Sequence, residues 1–248
     1  HKLVQVVGNR EHKEVRGKSE KVKGGENYWQ LLVDNSDNQQ HIIAKAKNVI
    51  LAIPPAQAYD LLPKESVLKK PLELVDVDPQ WVMGIEVEEI PQELPELSMI
   101  THNVLYSISR ETLKPGRAPS DHSVLQVQAT AEWTRRHLDV NQEQVSQLLI
   151  EALAEYMKAK FDRKLSVKYR YSHRWLYSQV VKKIASSDGY LFDQSGLGLV
   201  GDYFEQPTSI SKDTLRNPIE IQGVESAWLS AQKLAQSFNK KIDKSSEK

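Results

Sequence analysis

Two short runs near the carboxyl end, Gly201-Asp202 and Gly223-Val224-Glu225, combine residue types that can hold a polar ligand. A carboxylate just beyond a strand accepts hydrogen bonds from ligand hydroxyls, and a neighbouring glycine lets a backbone approach closely. Gly223-Val224-Glu225 opens a stretch with helical apolar spacing: Val224, Ala227, Trp228, Ala231, Leu234, Ala235 and Phe238. The amino terminus of such a helix carries unpaired amides and a partial positive charge, suited to an anion or an electron-rich ring edge. On spacing alone, an ordinary strand–loop–helix unit with an acidic turn residue fits as well.

Other runs offer chemistry of their own. Gly196-Leu197-Gly198-Leu199-Val200-Gly201 spells the dinucleotide fingerprint G-x-G-x-x-G. That fingerprint needs a strand before it and a helix after it, because the pyrophosphate sits on the helix amino terminus. The following residues, Asp202-Tyr203-Phe204-Glu205-Gln206-Pro207, have no amphipathic helical pattern. The run is therefore expected to be a short strand over 197–200, ending in Gly-Asp at a ligand. His173-Arg174-Trp175 with Tyr177 provides an arginine for a phosphate or carboxylate and aromatics for stacking on a substrate. The same letters also suit a strand with alternating buried aromatic and exposed charge. Arg117, in the loop Lys114-Pro115-Gly116-Arg117, can reach a cofactor or stay solvated. The seven histidines show no metal-ligand spacing, so no metal site is expected. No G-x-S-x-G elbow occurs, and no residue has a defined geometry for a catalytic base.

These residues must be positioned by a fold that the composition constrains. The chain has 248 residues, 40% hydrophobic and 27% charged, a globular balance. Lys plus Arg equals Asp plus Glu at 33 each, so no global field favours nucleic acid. With no cysteine, disulfides, thiolate catalysis and iron–sulfur clusters are excluded, and a reducing, cytoplasmic setting is expected. No apolar run approaches the ~18–20 residues needed to span a bilayer, so no membrane partner is expected. Strands are expected over 3–7, 28–33, 81–87, 98–109, 123–130 and 167–171. A further strand over 49–53, buried on both faces, is stopped by Pro54-Pro55, and Pro55 opens a short helix reaching Leu62. From Asn141 the period changes: Val145, Leu148, Leu149, Ala152, Leu153, Tyr156 and Met157 form a helical stripe with Asn141 and Gln144 at its start. The closing helix runs from about Gly223 to Phe238.

The stretch over 198–235, with Gly201-Asp202-Tyr203 and Gly223-Val224-Glu225-Ser226-Ala227-Trp228-Leu229-Ser230, resembles the closing FAD motif of flavin-containing amine oxidases. It is most similar to their renalase-like branch of NAD(P)/FAD-dependent oxidoreductases. Ala52-Ile53-Pro54-Pro55-Ala56-Gln57, Lys114-Pro115-Gly116-Arg117, Glu132-Trp133 with His137-Leu138, and His173-Arg174-Trp175-Leu176-Tyr177 agree in order. The resemblance implies an FAD-dependent oxidoreductase that takes a hydride from an amine or a reduced nicotinamide-type substrate, a small molecule. It implies that Asp202 contacts the FAD ribityl chain and that the amides at Gly223, Val224 and Glu225 face the pyrimidine end of the flavin. Pro54 would mark the turn out of the FAD domain, and Arg174, Trp175 and Tyr177 would line the substrate cavity.

Ala231 follows Ser230 where relatives often carry glycine. The family's opening strand–GxGxxG–helix has no counterpart before Val49, so a missing amino-terminal FAD-binding segment or a partner chain is expected to supply it. Without it, the chain would be a cofactor-free fragment, an interaction module, or one half of a split flavoprotein. The expected class is α+β, an α/β-type FAD-domain remnant plus a substrate domain with a mixed, largely antiparallel sheet flanked by helices. The expected organisation is a β-rich FAD-domain remnant over 1–55, a substrate domain over 56–190, a return to the FAD domain over 191–240, and a disordered tail over 241–248.

Overall fold

The computed structural model describes residues 3–8, 28–34, 40–117, 123–206 and 223–246. Strands β1 (Leu3–Gly8), β2 (Trp29–Asp34) and β3 (Gln40–Ala46) form an antiparallel sheet in that order. β4 (Val49–Leu51) follows almost at once. Val49 and Leu51 are buried but Ile50 is 36% exposed, which corrects the expectation of a strand covered on both faces through Ile53. Pro54 stands at the N-cap of α1 (Pro55–Leu61), and Pro55 occupies the first turn, where a missing N–H costs no helical bond. A four-residue helix α2 (Lys69–Leu72) is too short for periodicity to reveal.

β5 (Asp76–Val87) buries Trp81, Met83, Ile85 and Val87, the period-two set that the sequence marks. The pattern over 98–109 resolves into two strands, β6 (Leu97–Met99) and β7 (Leu105–Arg110). His102 breaks it: its Nδ1 accepts from the amides of Val104 and Leu105, tying a turn that hydropathy does not show. β8 (Ser123–Ala129) leads into α3 (Ala131–Arg136) and α4 (Gln142–Phe161). The Asn141 side chain caps α4 by accepting from Gln144 N at 2.9 Å, as its sequence start suggests. β9 (Val167–Lys182), β10 (Leu191–Phe192), β11 (Leu197–Leu199) and α5 (Gly223–Ser246) complete the chain. α5 passes well beyond Phe238 into the segment expected to be a disordered tail. No glycine or proline interrupts 239–246, and extending an existing helix adds one bond per residue fixed.

The chain divides into two compact units. Unit two, Val77–Gln179, holds a five-stranded sheet in the order β6-β7-β8-β5-β9. β6, β7, β8 and β5 pair antiparallel. Glu88 N donates to Ser166 O, and Ser178 Oγ to Gln80 Oε1, so β5 and β9 also run in opposite senses. One face of this sheet packs on Trp133 of α3 and on Val145, Leu149, Leu153 and Met157 of α4. Unit one, His1–Asp76 with Val180–Lys248, contains the mixed sheet β10-β11-β4. β11 is parallel to β4 and antiparallel to β10. The unit borders thus fall at Asp76/Val77 and Gln179/Val180, where the sequence organisation placed 55/56 and 190/191. α1 and α2 stay with unit one because Ala58, Leu61, Leu62 and Leu72 share a core with Val49, Leu51, Leu197 and Leu199.

Candidate functional site

β11 is buried throughout, and its glycine is a packing requirement: a Cβ on Gly198 would stand 2.7 Å from Ile50 Cδ1 and 3.0 Å from Phe192 Cδ2. The fingerprint-like glycines lie within and beside this strand, and a turn to Tyr203 and Phe204 follows Gly201 instead of a helix. Asp193 organises the entry to β11, its Oδ1 accepting from Ser195 N, Ser195 Oγ and Leu197 N. Val200 N donates to Leu51 O, so β4 and β11 end together. Pro54 leaves the carboxyl end of one, and Gly201-Asp202 the carboxyl end of the other. In open parallel sheets, that end is where ligands lie.

The amino-terminal turn of α5 is fastened to this end by serines. Ser230 Oγ accepts from Gly201 N at 3.1 Å, and Ser226 Oγ donates to Asp202 O at 3.5 Å. Both serines are fully buried with Leu234, whereas Val224 is 88% and Trp228 60% exposed. Of the apolar stripe read from the sequence, Leu234 lies on the buried face of α5 and Phe238 meets the Phe192 ring edge-on, whereas Val224, Trp228, Ala231 and Ala235 are exposed. The signal for the true face is the Ser226–Ser230–Leu234 spacing, which hydropathy hides because serine counts as polar. Gly223, at φ +61, has no described residue within 4 Å of where a Cβ would stand, and Glu225 is exposed beside it. Gly201, Asp202, Gly223, Val224 and Glu225 thus come together in unit one, with Pro54 at the same strand ends.

Asp202 is half-buried. Burial pushes its carboxyl above the ordinary carboxylate value, while its own backbone amide and Lys183 pull it back down. Beside it, burial and then the Asp202 charge raise the Tyr203 phenol far above its usual range. The Tyr203 hydroxyl is shielded without a partner among the described residues. A raised carboxyl binds its proton more tightly folded than unfolded, so ionising Asp202 costs stability as pH rises through the folded value. Asp202→Asn is expected to flatten that slope across the acidic range and leave the protein slightly more stable at neutral pH. Unfolding midpoints of both proteins against pH check this.

Unit two holds the other predicted residues, and β9 separates them. Arg170, Ser172 and Arg174 point to the helical side: Arg170 pairs with Glu143, Ser172 accepts from Ser146 Oγ, and Arg174 donates to Leu138 O. The Arg174 guanidinium also lies 5.8 Å from the Trp81 ring centroid. Trp175, on the opposite side, is 54% exposed and meets the His173 ring edge-on at 4.7 Å. Tyr169 and Tyr171 extend this exposed row, and Tyr177 is exposed beyond it. Arg174 and Trp175 therefore cannot grip one ligand on one face, a consequence of strand alternation. Arg117 is solvated, its Nη2 3.8 Å from Glu111. Among the described residues there is no cluster of His, Cys, Asp and Glu able to hold a metal ion, and no helix long and apolar enough to cross a membrane.

No protein-family profile matches the chain. Among solved structures it is similar to a candidate protoporphyrinogen oxidase from Exiguobacterium sp. 255-15, with a TM-score of 0.56, 16% identity, and 88% of this chain covering 45% of that one. An oxidoreductase from Methanosarcina mazei matches with a TM-score of 0.48 and 17% identity over 87% of this chain and 47% of its own. A CLA-producing fatty acid isomerase from P. acnes gives 0.49 and 11%, over 87% and 45%. At such identities the first match shows the fold alone. The chain therefore shares the fold of one portion of the Exiguobacterium structure. It spans less than half the length of each of the three structures.

Proposed function

We propose that this chain is the closing portion of an FAD-dependent oxidoreductase of the renalase-like and amine-oxidase kind. The observation that carries the reading is the half-buried Asp202, set with Pro54 and the open amino end of α5 at the carboxyl ends of a parallel strand pair. The residues present fit such a cofactor. A carboxylate drawn into a partly desolvated position by the fold, beside a helix start, suits an extended ligand bearing hydroxyls and an electron-rich ring. Flavin, when bound, supplies the two-electron acceptor for a hydride leaving an amine or a reduced nicotinamide-type substrate. Asp202 would accept from ribityl hydroxyls. The first-turn amides of α5 would face the ring edge where negative charge gathers on reduction.

The reading includes a partner for unit one, either a preceding segment of the same polypeptide or a second chain. Among the described residues, β4 has a strand on one side only, and α5 shows Val224, Trp228, Ala231 and Ala235 at helical spacing outward. Parallel strands are ordinarily covered and continued on both sides, so a strand and helix carrying the dinucleotide fingerprint would complete the sheet. The test is a flavin spectrum of the purified full-length protein, followed by anaerobic mixing with amines and with reduced nicotinamides. Bleaching of the flavin by one substrate class supports the reading and selects the substrate. A full-length protein that neither retains nor takes up FAD would remove it.

A further inference from the structure

An independent cleft in unit two, of about 590 Å³, opens between the β5–β6 connection, the end of β7, the start of β8 and the α4–β9 connection. That volume lies within the range of small-molecule sites. Three cations line it: Arg110, Arg163 and Lys164. None of them makes an ion pair among the described residues, although Glu89 and Glu93 line the same cleft.

Arg110 is held in place. Its Nη1 donates to Leu94 O at 3.1 Å, and its backbone N to Glu96 O at 2.8 Å. Its Nε is shielded from solvent without a partner among the described residues. A buried donor on a charged group left unmatched is costly, and a lysine or an apolar residue at this position would avoid it. Among the described residues no carboxylate pairs with the Arg110 guanidinium. Arg163 and Lys164 stand on the rim as exposed side chains free to close on an anion. Planar guanidinium groups recognise phosphate and carboxylate oxygens in pairs, and an ammonium adds a point charge. Glu89, Glu93 and Ser123 add acceptors and a hydroxyl that suit ligand hydroxyl groups.

The geometry points to a binding site for a small phosphorylated polyhydroxyl compound, its phosphate on Arg110, Arg163 and Lys164 and its hydroxyls toward Glu89, Glu93 and Ser123. The site lies outside the residues assigned to the cofactor and substrate, so its test is separate from theirs. Calorimetric titration of the protein with glucose 6-phosphate, inorganic phosphate and glucose distinguishes the contributions. Saturable binding of glucose 6-phosphate, weaker binding of inorganic phosphate and none of glucose is expected. The Arg163→Gln/Lys164→Gln protein, altered only at exposed positions, is expected to bind glucose 6-phosphate at least roughly tenfold more weakly, with an unchanged unfolding midpoint. Arg110→Lys is expected to weaken it further. Equal binding of both phosphates would overturn the polyhydroxyl part. No saturable binding, or binding unaffected by the rim substitutions, would overturn the site.

Discussion

Gly196→Ala is expected to destabilise unit one by about 2–5 kcal/mol, the sum of backbone strain and overpacking. Gly196 sits at φ +91 in the turn that delivers the chain to β11, a conformation that L side chains rarely adopt. An added Cβ would stand 2.3 Å from Lys47 O and 2.9 Å from Asn48 Oδ1. The nearer of these is backbone and cannot swing away. It belongs to the residues just before β4, and Gly196 O accepts from Val49 N at 2.9 Å, so relief of the clash would pull β4 from β11. Gly116→Ala separates the two contributions. Gly116 has φ +78 but no described residue within 4 Å of its Cβ position, so it tests strain alone. Denaturant unfolding should place Gly116→Ala about 1–2 kcal/mol below the parent and Gly196→Ala clearly lower. Equal losses would mean that the close approach at Lys47 relaxes without consequence.

The second large effect tests the proposed cofactor site. If that proposal holds, Asp202→Ala is expected to weaken FAD binding by roughly 10–100-fold. A hydrogen bond to a charged group contributes ~1.5–3 kcal/mol, and every ~1.4 kcal/mol is tenfold in affinity. Asp202→Asn keeps one acceptor and should lose less. The apo protein serves as the control: because burial already disfavours the Asp202 charge, neither substitution should lower its unfolding midpoint. A loss of FAD affinity without a loss of stability therefore places the carboxylate against the ligand. Fluorescence titration of FAD into the three proteins measures it. Unchanged affinity in Asp202→Ala would remove Asp202 from the cofactor site and leave the serine-fastened strand end as a structural feature only.

Much of this architecture is legible in the letters. The β5 alternation Trp81, Met83, Ile85, Val87, the capped stripe of α4, and the refusal of the Gly196–Gly201 run to start a helix all follow from periodicity and cap chemistry. These features depend on neighbours along the chain. The grouping of Gly201-Asp202 with Gly223-Val224-Glu225 is also readable, because a strand, a turn and a helix start follow one another in order.

Only the tertiary structure decides which faces are used. α5 buries Ser226 and Ser230 because the amide of Gly201 and the carbonyl of Asp202 need partners where they meet the helix. Hydropathy counts apolar area and cannot see that demand, so the outward Val224–Trp228 side reads as the core. Likewise, Arg174 turns toward α3 and α4 because Leu138 O and the Trp81 ring wait there, contacts made by residues remote in sequence. The unit borders move for the same reason: Leu61 and Leu72 pack with Leu197 and Leu199 from the far end of the chain. Local spacing determined the elements and the order of strand, Gly-Asp turn and helix start. Long-range hydrogen-bond satisfaction and packing decided which residues reach it.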